Sequence, residues 1–227
     1  YPGMLWAHED SGNPAGLHLI AQDGTVVRSV FLEGTLNRDW EDIAMANNEI
    51  YLADIGDNAA AYSNYTIYQF FEPGPGADTL AVTNAITFTY PDGPHDAEAI
   101  LVDSATKDIF IITKSGPFSR VYKLSYPYGA NAVASFEGTL PFAGVVSAAL
   151  SADGKEILVK TYTSIYYYQR SPGQSIAKAL EGNYKNLKHT LEPQGEAICF
   201  ALDGAGYYTL SEKAFASFVF LNFYSRQ

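Results

Sequence analysis

One cysteine, Cys199, stands in 227 residues, which excludes an internal disulfide. Cys199 lies in a segment that reads as a strand, Ala197 to Leu202, and is expected to be a buried structural thiol rather than a nucleophile. Basic residues are also scarce. The 14 Lys and Arg against 25 Asp and Glu give a net charge of −11 and a pI near 4.7. No basic stripe exists on which nucleic-acid phosphates could dock, so nucleic acid is excluded as a partner. The acidic balance is permissive for cations and is also common in secreted proteins. No apolar run approaches the roughly 18 residues of a membrane-spanning helix. The opening Tyr1-Pro2-Gly3-Met4-Leu5-Trp6 reads as strand and lacks the charged start of a secretion signal. No segment has sustained helical periodicity; the best candidate is short, Gln174 to Leu180. No Ser-His-Asp order, Gly-x-Ser-x-Gly elbow, His-Glu-x-x-His helix or phosphate-cradling glycine loop occurs.

What is present is repetition. Asp39-Trp40-Glu41-Asp42-Ile43-Ala44, His95-Asp96-Ala97-Glu98-Ala99-Ile100 and Gln194-Gly195-Glu196-Ala197-Ile198 each place a Glu before a strand-like run. Glu98 follows Glu41 by 57 residues and precedes Glu196 by 98, twice a period of about 50, so a degenerate copy is expected near residue 148. Ser147 to Gly154 is there, with the Glu replaced. A second set of segments starts apolar and ends polar: Leu5 to Gly12, Tyr51 to Asn58, Phe110 to Gly116, Leu158 to Ser164 and Tyr207 to Lys213. Third strands are predicted at residues 16–21, 66–71, 120–125, 164–169 and 217–224, and fourth strands at 26–32, 85–90, 134–140 and 187–191. Asp-Gly pairs at Asp23-Gly24, Asp92-Gly93, Asp153-Gly154 and Asp203-Gly204 mark tight turns. With 47% hydrophobic residues, 17 Tyr and 13 Phe, the chain suits an all-β fold.

These patterns predict one domain over residues 1–227, a β-propeller of five blades with six as the alternative. The blades fall at about 1–36, 37–93, 94–143, 144–192 and 193–227. The first blade lacks a Glu phrase and the fifth lacks a fourth strand, so a closure strand is expected from an N-terminal segment absent from this sequence.

First strands of blades line a central channel, so Glu41, Glu98 and Glu196 are expected to converge there, with His8, Asp10, Asp54, Asp57, Asn58, Lys114, Tyr162, Ser211 and Glu212 near one mouth. Converging carboxylates repel and call for a hard cation, raised pKa values, Lys114 or backbone N–H donors. The expected metal ligands are Glu41, Asp54, Asp57, Glu98 and Glu196, with calcium the first choice of divalent cation. Asp10, Asn58, Tyr162 and Glu212 are expected to bind ligand, and His95, His8 and Lys114 to orient or polarise it, in metal-assisted hydrolysis or lyase chemistry if a reaction occurs. The repeated Glu could instead tie blades to one another, Asp54 to Asn58 could be a turn, and His95 could be a loop histidine. Trp6 and Trp40 are expected to pack in the core. Asn64-Tyr65-Thr66 is an N-glycosylation acceptor triplet.

The succession Leu5 to Gly12, Asp39 to Ala44, Asp54-Ile55-Gly56-Asp57-Asn58, Tyr90 to Ile100, Lys160 to Thr163 and Pro193 to Ile198 resembles a family of secreted or lipid-anchored bacterial β-propellers. That family is more distantly similar to esterase-like phytase and gluconolactonase-type propellers. The family usually has Asn where Glu9 stands. The resemblance implies a propeller and an extracellular location, and assigns no reaction. The partner is then a small polar or anionic molecule or a glycan; the alternative is a non-catalytic scaffold for protein or glycan interaction, or for assembly into a polymer.

Overall fold

The computed structural model describes residues 1–213 and 218–226. It contains five sheets. The second sheet runs outward from Trp40–Ala46 through Glu49–Asp54 and Tyr65–Phe71 to Asn84–Thr89. The third follows the same path through Ala97–Val102, Ile109–Thr113, Arg120–Leu124 and Ser135–Thr139. The fourth comprises Val145–Leu150, Glu156–Thr161, Ile165–Gln169 and Tyr184–Leu187. The fifth shows Gly195–Phe200, Gly206–Ser211 and Asn222–Ser225. The first sheet, Met4–His8, Gly16–Ala21 and Val26–Glu33, matches the second, third and fourth strands of the others. The chain is a five-bladed β-propeller.

The second strands explain how blades adhere. Those of blades 2, 3 and 4 are buried on both faces and read as largely apolar runs, and successive side chains point to opposite faces. Ile50 and Leu52 join Leu17, Trp40 and Phe70 between blades 1 and 2, whereas Tyr51 and Ala53 join Ile67, Phe88 and Ile100 between blades 2 and 3. Ile109 and Ile111 face that same cluster, while Phe110 and Ile112 turn to Ile157, Val159 and Tyr168 of blade 4. Leu158 points the other way, onto Ile198 and Tyr207 of blade 5. Trp40 is fully buried, and Trp6 packs on the same cluster with its indole N–H donated to Glu72. Gln22 Nε2 donates to Tyr208 Oη at 2.9 Å, linking blades 1 and 5.

The expected Asp-Gly turns are present, with Gly154 and Gly204 at φ of 70° and 71°, a region glycine enters without steric cost. Other boundaries moved. The fourth strand expected at 187–191 is Tyr184–Leu187, the strand holding Cys199 is Gly195–Phe200, and the third strand expected at 217–224 is Asn222–Ser225, residue 217 lying outside the described residues. Cys199 is half-buried rather than buried, its thiol pushed up to about 12 by desolvation. The short helix is real, Ile176–Leu180, capped by Ser175 Oγ accepting from Lys178 N. Two outer edges are covered by parallel additions that sequence patterning did not show, Thr79–Ala81 on blade 1 and Ala132–Val133 on blade 2. No helix among the described residues is long and apolar enough to cross a membrane.

Candidate metal centre at the channel mouth

The repeated Glu is a bulge residue. Pairing between first and second strands skips one position in blade 2 between Trp40 and Asp42, in blade 3 between Ala97 and Ala99, and in blade 5 between Gly195 and Ala197. The skipped residues are Glu41, Glu98 and Glu196. Blade 4 skips between Val145 and Ser147, so the degenerate fourth copy is Val146, one residue before the Ser147 segment that marks it in sequence. A bulge re-aims the side chain of its extra residue, which is why these carboxylates leave the ordinary in-and-out alternation of their strands.

Directly after the second strands come Lys114, Tyr162 and Glu212, and these meet the bulge residues. Lys114 Nζ is ion-paired with Glu98 Oε1, and sits 5.5 Å from the centre of the Tyr162 ring. Tyr162 Oη donates to Glu196 Oε1. Glu212 Oε2 accepts from Gln194 Nε2 at 3.3 Å. The second oxygen of Glu98 is buried without a hydrogen-bond partner. Asp10, Asp39 and Glu41 each bring a carboxylate oxygen within 4.8 Å of the others, Asp10 exposed and the other two half-buried.

Burial raises every acid in this group whose shift is resolved, and neighbouring carboxylates add to the effect. Glu41 is pushed up to about 10, by desolvation first and then by Glu98, Asp39 and Asp10. Glu98 is pushed up to about 8 by burial although Lys114 opposes the shift, and Glu212 to about 7 by burial and then by Glu196. Asp39 is raised by burial and then by Asp10, whereas the ion pair with Glu98 raises Lys114 against the pull of desolvation. Glu41 therefore retains its proton at neutral pH, whereas the Lys114 ammonium holds Glu98 in an ion pair.

The remaining residues singled out in sequence go elsewhere. Asp54 accepts from Asp39 N at 2.9 Å and lies 3.8 Å from Arg38 Nε. Asp57 closes a turn, accepting from Ala61 N, Tyr62 N and Tyr65 Oη at 2.8–2.9 Å. His8 lies edge-on to Trp40 with Nδ1 3.2 Å from the carbonyl of Glu9. His95 contacts Asp92 at 3.0 Å and Tyr122 Oη at 2.8 Å, and lines a separate cleft with Asp57 and Asn58.

Three residues were missed in the sequence. Asp39 had a signal, since it stands two residues before Glu41 as Asp96 does before Glu98. Asp42, next to the repeated Glu, performs the blade-tying role considered for the Glu set. Its carboxylate accepts from Ile100 N at 2.9 Å in blade 3, and from Ser147 Oγ at 3.1 Å and Ala148 N at 3.5 Å in blade 4. Lys160, fully buried, lies 3.3 Å from Glu192 Oε2, and Glu192 Oε1 accepts from Thr209 and Asn222. Desolvation lowers the Lys160 pKa, and Glu192 opposes that shift.

Gly56 is required by close approach: a Cβ there would collide with Glu41 Oε1 and lie 2.5 Å from Asp39 Oδ2. Gly56→Ala is expected to displace both carboxylates and to weaken by about tenfold or more any divalent cation held there, with calcium the ion used in calorimetric titration. Calcium affinity unchanged in that variant would show that Asp39 and Glu41 are not ligands.

No family model matches the chain, and no curated protein matches it. Among solved structures, hydrazine synthase from Kuenenia stuttgartiensis is similar over 98% of this chain and 68% of its own, at 10% identity and a TM-score of 0.50. What is shared is the fold. The Dos1 propeller gives a TM-score of 0.47 at 9% identity over 92% of this chain and 50% of its own. A candidate 6-phosphogluconolactonase from Bacteroides uniformis gives 0.44 at 14% identity over 99% and 69%.

Proposed function

We propose that the channel mouth binds a divalent cation through Asp10, Asp39 and Glu41, and that this cation, with Lys114 and Tyr162, holds a small polar or anionic ligand. The supporting observation is the approach of three carboxylate oxygens to within 4.8 Å. That separation is about twice a Ca–O distance of about 2.4 Å, so the three can share one ion. An all-oxygen, all-carboxylate donor set suits a hard cation, with calcium ahead of magnesium because calcium accepts irregular geometry and higher coordination numbers. Lys114, which would otherwise neutralise the cluster, is engaged by Glu98.

A bound cation would act as a Lewis acid toward a ligand oxygen. Lys114, held by Glu98, and Tyr162, held by Glu196, neighbour each other and would orient that ligand, and Glu98 Oε2, which has no partner among the described residues, would accept from a ligand hydroxyl. An extracellular setting, as the family resemblance implies, fits a site of only three carboxylates, one of them exposed, since extracellular calcium modules bind at about 10⁻⁴–10⁻³ M.

After exhaustive dialysis against EDTA, calcium at about 100 times its Kd is expected to raise the melting temperature by about 5–10 °C at pH 7.5. No shift with calcium or magnesium, and no metal retained, would sink the proposal. The sign of the pH dependence is fixed by the raised pKa values. Glu41 and Glu212 hold protons in the folded chain that they release when unfolded above about pH 4.5, so their contribution is full below that pH. It is lost as pH rises through about 7 and then about 10. The metal-free protein is accordingly expected to melt lower at pH 9 than at pH 5.5, and calcium is expected to protect most at the higher pH.

A further inference from the structure

Between blades 2 and 3 lies a cleft of about 350 Å³, bordered by Asp57, Asn58, Pro94, His95, Ser115, Phe118, Arg120 and Thr139, among others, and sharing none of the three carboxylates of the mouth. Its acids are committed inward. Asp57 is occupied by two backbone N–H groups and Tyr65, and Asp96 accepts from Asp57 N and Ser115 Oγ, both at 3.0 Å. Both carboxylates are buried, so neither offers the open coordination that a cation needs. Arg120 is the opposite. Its Nη1 is engaged by Asp92 and Tyr122, while Nε and Nη2 have no partner among the described residues and the side chain is 44% exposed. The guanidinium is thus anchored through Nη1, and Nε and Nη2 keep donors free on a side chain that borders the cleft. Phe118, 52% exposed, adds an aromatic face on the rim, and Asn58 and Thr139 add an amide and a hydroxyl.

A pre-positioned guanidinium edge selects a planar carboxylate, and an exposed aromatic face selects a ring with an apolar C–H surface. Amide and hydroxyl groups then answer ring hydroxyls. A volume of about 350 Å³ is at the small end of ligand pockets and admits a monosaccharide. We propose that this cleft binds a monosaccharide carboxylate of the uronate type, with the carboxylate on Arg120 and the sugar face on Phe118. The free guanidinium edge offers one carboxylate two parallel hydrogen bonds, whereas inorganic phosphate brings a larger negative charge toward Asp57, Asp92 and Asp96 and is the weaker ligand.

The test is calorimetric titration of the folded protein with D-glucuronate, D-glucose and inorganic phosphate, paired with melting curves. Saturable glucuronate binding is expected at millimolar Kd or below, at least about tenfold tighter than either glucose or phosphate. Arg120→Gln is expected to weaken it about tenfold or more. Because Arg120 also holds Asp92, Phe118→Ala provides a variant outside that network, expected to weaken binding about fivefold without lowering the melting temperature. Asp39→Asn and Glu41→Gln, which alter the mouth alone, are expected to leave glucuronate affinity unchanged, so failure here is separable from failure of the metal site. No saturation up to about 20 mM, equal affinity in Arg120→Gln, or equal or tighter binding of glucose or phosphate would overturn the proposal.

Discussion

Asp42→Ala is expected to cost about 3–5 kcal/mol of folding stability, measured by urea unfolding, and to lower the melting temperature by about 10 °C or more. Asp42 is 6% exposed, and its two oxygens serve donors from three blades: its own neighbour Ile43 N, Ile100 N, and the Ser147 hydroxyl with Ala148 N. Truncation leaves those donors buried without an acceptor, and each such group costs about 1–3 kcal/mol. Burial opposes the carboxylate, pushing Asp42 up to about 7 even though each hydrogen bond pulls it down. Asp42→Asn, which keeps one oxygen and carries no charge to desolvate, is therefore expected to cost less than half as much as the alanine. A loss below about 1 kcal/mol in Asp42→Ala would mean that apolar packing alone holds the inner strands together.

The unequal legibility of Asp42 and Glu41 shows what a single sequence reveals of this fold. Repetition is visible because each blade must solve the same local problem, so the second strands and the Asp-Gly turns carry the same signals wherever they occur. The strand alternation that sends Ile50 to one neighbour and Tyr51 to the other is a local property too, once both faces are known to be buried. Bulges are not local in this sense. Nothing in the residues near 146 distinguishes the skipped Val146 from Ser147, because the skip exists only relative to the paired strand, Glu156–Thr161. Contacts across the axis are harder still. Asp42 and Ser147 are 105 residues apart, and the buried Lys160 meets Glu192 from the connection that leads into blade 5. The acidic mouth was legible as a convergence of Glu41, Glu98 and Glu196. Its division was not: Asp10 and Asp39 gather on Glu41, while Lys114 engages Glu98 and Tyr162 engages Glu196.

Glu41→Gln combined with Asp39→Asn is expected to weaken calcium binding at least 100-fold while leaving the metal-free protein as stable as the parent at pH 7, or more stable. At an effective dielectric near 20, two full charges 4.8 Å apart repel by about 3–4 kcal/mol, an amount the fold has no reason to sustain without a counter-ion. The protein relieves this repulsion with a proton, since Glu41 is pushed up to about 10 and Asp39 is also raised. Glutamine imitates the protonated Glu41 without the proton uptake that folding of the parent requires above about pH 4.5, so the variant is already favoured at pH 7 and the difference widens with pH. At pH 9–10 the parent acquires the charge and the variant does not, and the variant is expected to melt higher by a few degrees, a difference that calcium abolishes by stabilising the parent alone. A scaffold role for these carboxylates makes the opposite prediction. If Asp39 and Glu41 held the inner strands as Asp42 does, neutral replacements would lower the melting temperature at every pH, with or without calcium. Melting curves of parent and double variant at pH 5.5, 7 and 9, each with calcium and with EDTA, separate the two.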